Sequence, residues 1–167
     1  MAALVRRRAE QRALRRAADG QRTEYLAFAL AGEIYAVEIH SIGEILKPPP
    51  ITEVPRAEPS VIGVVSVRGR LVTVIDLRKR FGVKDAPIGH LTRILLVDKG
   101  EEKLGLLVDE VLQVYRLTET EIEPANVLGG DQPAHIIGIG RPTEGTGQHK
   151  DFGSLLVLLD LRPILEA

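Results

Sequence analysis

The side chains in this sequence that could do chemistry are few, and most are arginines and carboxylates. Arg68 stands in Arg68-Gly69-Arg70, between two apolar runs, Val61–Val67 and Leu71–Ile75. A guanidinium offers a planar fork of N–H donors that grips a carboxylate at two points, which a lysine ammonium cannot reproduce. Glu44 follows Ser41 by three residues, a capping-box spacing. Asp76-Leu77-Arg78 and Asp160-Leu161-Arg162 repeat one motif. Asp76 is placed to cap a short helical turn, Leu77–Phe81, closed by Gly82. This is the chemistry of ion pairing and recognition.

Patterns of catalysis and metal binding are missing. His40, His90, His135 and His149 are scattered, without metal-ligand spacing. There is no cysteine, hence no thiolate ligand, thiol nucleophile or disulfide. Gly138-Ile139-Gly140 begins a dinucleotide fingerprint, but Thr143 occupies the place of its third glycine. No Gly-Lys-Ser/Thr phosphate loop and no Gly-x-Ser-x-Gly elbow occurs. Asp109 and Glu110 are adjacent, so on a strand they face opposite ways. The expectation is a non-enzyme with no catalytic residue, no cofactor and no metal. A site assembled from scattered carboxylates is the open alternative.

The elements that must carry these residues are strands. The two runs around Arg68 are rich in β-branched residues, which suit a pleated surface. Gly69 lets the chain reverse between them, so the stretch reads as a hairpin with Arg68 at its tip. Leu26, Phe28 and Leu30 alternate with polar or small residues, as do Tyr35, Val37 and Ile39, and Ala31-Gly32 turns between them. Ser41–Glu44 predicts a short helix, stopped by Pro48-Pro49-Pro50. An extended segment, Ile51–Pro55, leads into the central hairpin. Strands follow at Thr92–Asp98 and Lys103–Val108, with Val111–Tyr115 continuing as extended chain. Leu117–Glu123 reads as an acidic turn with a second capping box at Thr118 and Glu121. Ile136–Ile139 and Leu155–Leu159 are the last strands, separated by a polar loop over Thr143–Gly153.

The chain repeats itself. LVTVIDLRKRF (71–81) matches LLVLLDLRPIL (155–165), YAVEIHSIGEI (35–45) matches LGLLVDEVLQV (104–114), and VIGVV (61–65) matches IIGIG (136–140). Two similar halves of about five short strands predict an all-β fold. It consists of two five-stranded SH3/OB-like β-barrels related by a pseudo-twofold, with short helices. The halves are expected near 23–88 and 89–167, with strand exchange between them left open. Neither half is large enough to be stable alone, so they should share an apolar seam.

Composition adds boundaries. Aromatic residues are only 4% against 44% hydrophobic, so the core must be Val, Leu and Ile. No apolar run approaches the ~18 residues of a membrane span, and no secretory h-region follows the first arginines. A cytoplasmic location is expected. Residues 1–22 carry seven arginines against Glu10 and Asp19, leaving a basic arm on an acidic body. The arm is expected to be a disordered tail or frayed helix. It lacks the aromatic residues that stack on bases, so no nucleic-acid partner is expected.

Taken together, these residues resemble the CheW family, the coupling proteins of bacterial chemosensory arrays. The matching stretches are EYLAFALAGEIYAVEIHSIGEI, ITEVPRAEPSVIGVVSVRGRLVTVIDLRKRFG, LGLLVDEVLQV, IIGIG and LLVLLDLRPIL, in family order over about residues 24–165. The resemblance implies two five-stranded barrels and a non-enzymatic scaffold. Its implied partners are the cytoplasmic tip of a chemoreceptor (a methyl-accepting chemotaxis protein) and the regulatory domain of a CheA-type histidine kinase. It would sit at membrane-associated arrays through those partners, without inserting into the membrane itself. The implied receptor groove between barrels falls on Ile42, Glu44, Arg68 and Val114. Gly63, Gly105 and Gly138 are the implied structural glycines, beside Gly69 of the turn. The family places the helix of Glu44 beside the Arg68 hairpin, which makes Glu44 the expected partner of Arg68. Ser66 departs from the usual Asn, Thr73 from a common Pro, and the basic arm has no counterpart in short members. Two other readings stand beside this one. One is a receptor-binding lookalike without the kinase contact; the other is a double-barrel nucleic-acid binder using the arm.

Overall fold

The structure is a computed structural model describing residues 5–8, 10, 21–84, 86–127, 129–130, 133–143 and 155–165. Most of the 1–22 arm and of the Thr143–Gly153 loop lies outside the described residues, and so do the expectations made of them. The first hairpin is β1 (Thr23–Leu30) and β2 (Glu33–Glu38). A 3-10 turn, Ile39–Ser41, leads to β3 (Ile42–Leu46). Next come β4 (Val61–Val67), β5 (Arg70–Asp76) and the helix Leu77–Phe81. The second half runs β6 (Arg93–Lys99), β7 (Glu102–Val108), β8 (Glu110–Leu117) and β9 (Ile122–Pro124). It ends with β10 (Ile136–Gly140), β11 (Leu156–Leu159) and the helix Leu161–Leu165.

These strands build two sheets, so the all-β expectation holds. One has six strands in the order β8-β1-β2-β11-β10-β9, the other five in the order β3-β6-β7-β5-β4. Each sheet takes strands from both halves of the sequence. The hairpins pair antiparallel, and four ladders join the halves: β1 with β8 and β3 with β6 are antiparallel, whereas β2 with β11 and β5 with β7 are parallel.

Alternation explains how β1 buries both faces. Leu26, Phe28 and Leu30 enter a cluster with Leu95, Val97, Leu106 and Val108 of the other sheet. Tyr25 and Ala27 join Ala36, Tyr115, Leu117, Leu156 and Leu158, all from their own sheet. The second sheet likewise keeps its own cluster, including Val65, Val72, Val74, Ile94, Leu96 and Leu107. Each sheet therefore curls over one face and packs its other face against its neighbour. Burying a core leucine of this kind contributes about 1.5–3 kcal/mol.

The Ser41 capping box does not form: the 3-10 turn has Glu38 at its N-cap with no side-chain bond, and Glu44 lies in a strand. Pairing of β3 with β6, from Ile42↔Val97 to Leu46↔Ile94, outweighs the one cap that a helix would have gained. Leu117–Glu123 is more ordered than a turn. Its Thr118–Glu121 capping box is present, but it leads straight into β9, which pairs with β10. Asp76 caps the helix Leu77–Phe81 as expected, accepting from the Arg78 N–H at 2.9 Å, and Gly82 closes it at φ 68°.

Candidate functional site

Arg68 stands at the tip of the β4–β5 hairpin, where Val67 pairs with Arg70. Arg68 has φ 48° and Gly69 φ 80°. Two central residues at positive φ make a type I′ turn, whose twist matches the flanking strands. Glycine takes this conformation freely, but an arginine does so against the clash of its Cβ. A strained arginine at a hairpin tip points to a need for its side chain.

That side chain binds Glu44. Nη1 donates to Oε1 at 3.0 Å and Nη2 to Oε2 at 2.7 Å, a two-point grip. The bonds from Arg68 hold the Glu44 carboxyl below the usual carboxylate range, and Lys103 nearby acts in the same direction. Glu44 in turn raises the Arg68 guanidinium. Solvent reaches both side chains, 68% of Arg68 and 37% of Glu44, so the pair is presented on the surface. A pair this exposed adds little to stability. What it supplies is a held, chemically specific feature of the surface.

Ile42 and Val114 occupy a different place. Ile42 starts β3, an end strand of the second sheet, and Val114 lies on β8, an end strand of the first. Both are partly buried and pack against the cluster between the sheets. Each depends on a bulge. In β3 one extra residue sets Ile42 opposite Val97 but Glu44 opposite Leu96. In β8 the register shift sets Val111 opposite Phe28 and Val114 opposite Leu26, so both valines face the shared core. Bulges re-aim side chains in this way. The structure thus brings Arg68 and Glu44 together, and sets Ile42 and Val114 on the edges flanking the inter-sheet core.

The glycines fill tight places. A Cβ on Gly63 would collide with the Thr52 carbonyl, and one on Gly138 with the Glu123 carbonyl. At Gly105 a Cβ would stand 2.7 Å from Cγ2 of Ile94. Gly69 has open space around it and is needed only for its positive φ.

Two residues near the pair escaped sequence reasoning. A cleft of about 590 Å³ beside the hairpin tip is lined by Arg68, Arg70, Leu71, Leu96 and Lys103 among others. Leu71 is 77% exposed. In the sequence it opens the run Leu71–Ile75, whose one polar residue, Thr73, gives too little alternation to show which face is outward. Lys103 reaches this corner through the parallel pairing of β7 with β5, which no local signal reveals. Among the described residues no group of three His, Cys, Asp or Glu is placed to hold a metal ion. His135 stacks on Phe81, with centroids 4.6 Å apart. No helix among the described residues is long and apolar enough to cross a membrane.

Comparison with known proteins joins this geometry to a family. The model of the CheW-like domain matches residues 24–167. The chemotaxis protein CheW of Klebsiella aerogenes is 31% identical over 145 residues, which is 86% of this chain and 82% of that protein. The chemotaxis protein CheW of Helicobacter pylori is 31% identical over 121 residues, 72% of this chain and 73% of that protein. Among solved structures, the scaffolding protein TtCheW from Thermoanaerobacter tengcongensis superposes with a TM-score of 0.73 at 28% identity. The match covers 88% of this chain and 94% of that one. With the family model matching residues 24–167, from β1 onward, this protein belongs to the CheW-like family.

Proposed function

We propose that this chain is a non-enzymatic scaffold of a bacterial chemosensory array, coupling chemoreceptor cytoplasmic tips to the regulatory domain of a CheA-type histidine kinase. The receptor site is the groove flanked by β3 and β8, with Ile42 and Val114 on its apolar walls and Arg68 and Glu44 at its lip. One observation supports the reading: the exposed, two-point Arg68–Glu44 pair, mounted on a strained turn. Family membership supports the scaffold role, and a relative of similar structure is itself described as a scaffolding protein. The protein would act in the cytoplasm, reaching the array through its partners.

The test is a double-mutant cycle on the affinity for a chemoreceptor cytoplasmic hairpin. Arg68→Ala and Glu44→Ala should each weaken binding, and the double variant should lose less than the sum, because one network is broken twice. Thermal melts control for folding. Unchanged affinity in both single variants sinks the site; fully additive losses sink the pairing. A pull-down with the kinase regulatory domain separates the two receptor-binding readings. A coupler holds both partners, and a lookalike without the kinase contact holds the receptor alone.

A further inference from the structure

We infer that Asp109 is a positioning residue for the groove: it pins the crossing between the two sheets and so sets where β8, one of the groove's walls, stands. The inference rests on the receptor reading of that groove.

The chain leaves β7 at Val108 and enters β8 at Glu110, so Asp109 is the single residue between the two sheets. Three bonds hold it. Its Oδ2 accepts from the Ala31 N–H at 2.8 Å, in the turn of the β1–β2 hairpin. Its own N–H donates to the Ala29 carbonyl at 3.0 Å. Both tie it to the first sheet. Its Oδ1 accepts from Arg78 Nη1 at 2.8 Å, and Arg78 belongs to the helix that ends β5 in the second sheet.

Arg78 makes this a firm anchor. It is only 3% exposed. Nε donates to Asp76 Oδ1 at 3.0 Å and Nη2 to Asp76 Oδ2 at 3.1 Å, while Nη1 also reaches the Ala86 carbonyl at 2.8 Å. A buried guanidinium demands compensation of this kind, and losing a partner would strand its charge. The second copy of the motif shows what capping alone needs. Asp160 accepts from the Arg162 N–H at 3.0 Å and from Nη2 at 2.7 Å, yet the Arg162 side chain is 84% exposed. Cap and ion pair therefore form without burial. Burial and the bond to Asp109 set the first copy apart, and both occur at the sheet crossing. At the other crossing, between β2 and β3, the repeat puts His40 in the place of Asp109.

β8 needs such an anchor. Among the described residues its one ladder is with β1, and that ladder slips between Leu26 and Phe28, opposite the stretch from Val111 to Val114. A bulge disrupts the ladder locally, so the stretch around Val111 gains from an anchor next to it. Asp109 holds it from the residue just before.

The test uses the full chain with Asp109→Asn, Asp109→Ala and a control, Leu158→Ala, whose side chain is buried on the other face of the first sheet. Asp109→Asn keeps one acceptor and the side-chain volume, so it serves if the alanine variant fails to fold. Methyl NMR reports on β8 without any partner. The Val111 and Val114 signals should shift in the Asp109 variants. Affinity for the chemoreceptor hairpin should fall about tenfold, while affinity for the kinase regulatory domain stays within about twofold. The Leu158→Ala protein should melt earlier and still bind the receptor within about twofold of wild type. Unmoved β8 signals in a folded Asp109→Asn protein overturn the inference, whatever the receptor does. So does an equal loss of receptor binding in Leu158→Ala, which would make the effect one of stability alone. A wild-type chain that binds no receptor hairpin overturns the reading of the groove itself, and is told apart because it involves no variant.

Discussion

Ile42 and Glu44 are two residues apart on β3, yet they lie opposite adjacent residues of β6, Val97 and Leu96, and so face opposite sides of the sheet. Gly43 is the extra residue that turns them apart. Ile42 packs on the core between the sheets, and Glu44 reaches Arg68. The two should then respond differently to substitution. Ile42→Ala is expected to lower unfolding free energy by about 1–3 kcal/mol in urea titrations, as loss of a partly buried side chain does. Glu44→Gln is expected to leave the urea midpoint nearly unchanged. Equal losses in both would mean that the faces are wrongly assigned.

Arg68→Asn separates stability from function. Asparagine tolerates positive φ far better than arginine and is favoured with glycine in type I′ turns. The melting midpoint is expected to rise by a few degrees while receptor-hairpin affinity falls. A midpoint that drops would show that the arginine is not strained in this turn.

Tyr115→Phe should stabilise the protein. The Tyr115 hydroxyl is buried, inside the cluster of the first sheet, and has no hydrogen-bond partner among the described residues. Removing an unsatisfied buried hydroxyl is expected to gain about 1 kcal/mol. Chemical denaturation of the two proteins decides it, and a loss of stability would show that the hydroxyl is satisfied in solution.

Glu121 gives the protein an acid-sensitive joint. Burial pushes its carboxyl up, but backbone and hydroxyl bonds from Thr118 and Thr143 together outweigh burial and bring it down to about 2. Its Oε2 accepts from the Thr143 N–H at 2.7 Å and the Thr143 hydroxyl at 2.8 Å. A carboxyl with a depressed folded value contributes stability fully present above its unfolded value. That value is 4.5, and the contribution is lost as pH falls from there through about 2. Glu121→Gln should flatten this part of the stability–pH curve. An identical acid slope in wild type and variant would exclude the joint.

Much of the fold was legible because its signals are local. The β1–β2 and β4–β5 hairpins, the Asp76 cap and the Thr118–Glu121 box each lie within a few residues of sequence. The repeat carried the two-sheet plan. The Ser41–Glu44 spacing predicts a helix that does not form, because a capping box is a local signal and here a long-range ladder to β6 overrides it. The bulges in β3 and β8 were invisible for the same reason, since a register shift belongs to a pair of strands. Arg68 and Glu44 were found as partners through the family resemblance, whereas Lys103 and the outward face of Leu71 depend on which strands become neighbours.

The parallel joins between halves also govern the order in which this chain can be built. Tyr35 pairs with Val157 and Thr73 with Leu104, so β2 has no partner on one side until nearly the last strand has left the ribosome. β1 must wait for β8 in the same way. Pairings this distant in sequence slow folding. Until those strands are made the apolar faces of the first hairpin are incompletely covered, which makes the nascent chain the stage at which this protein is most exposed to aggregation.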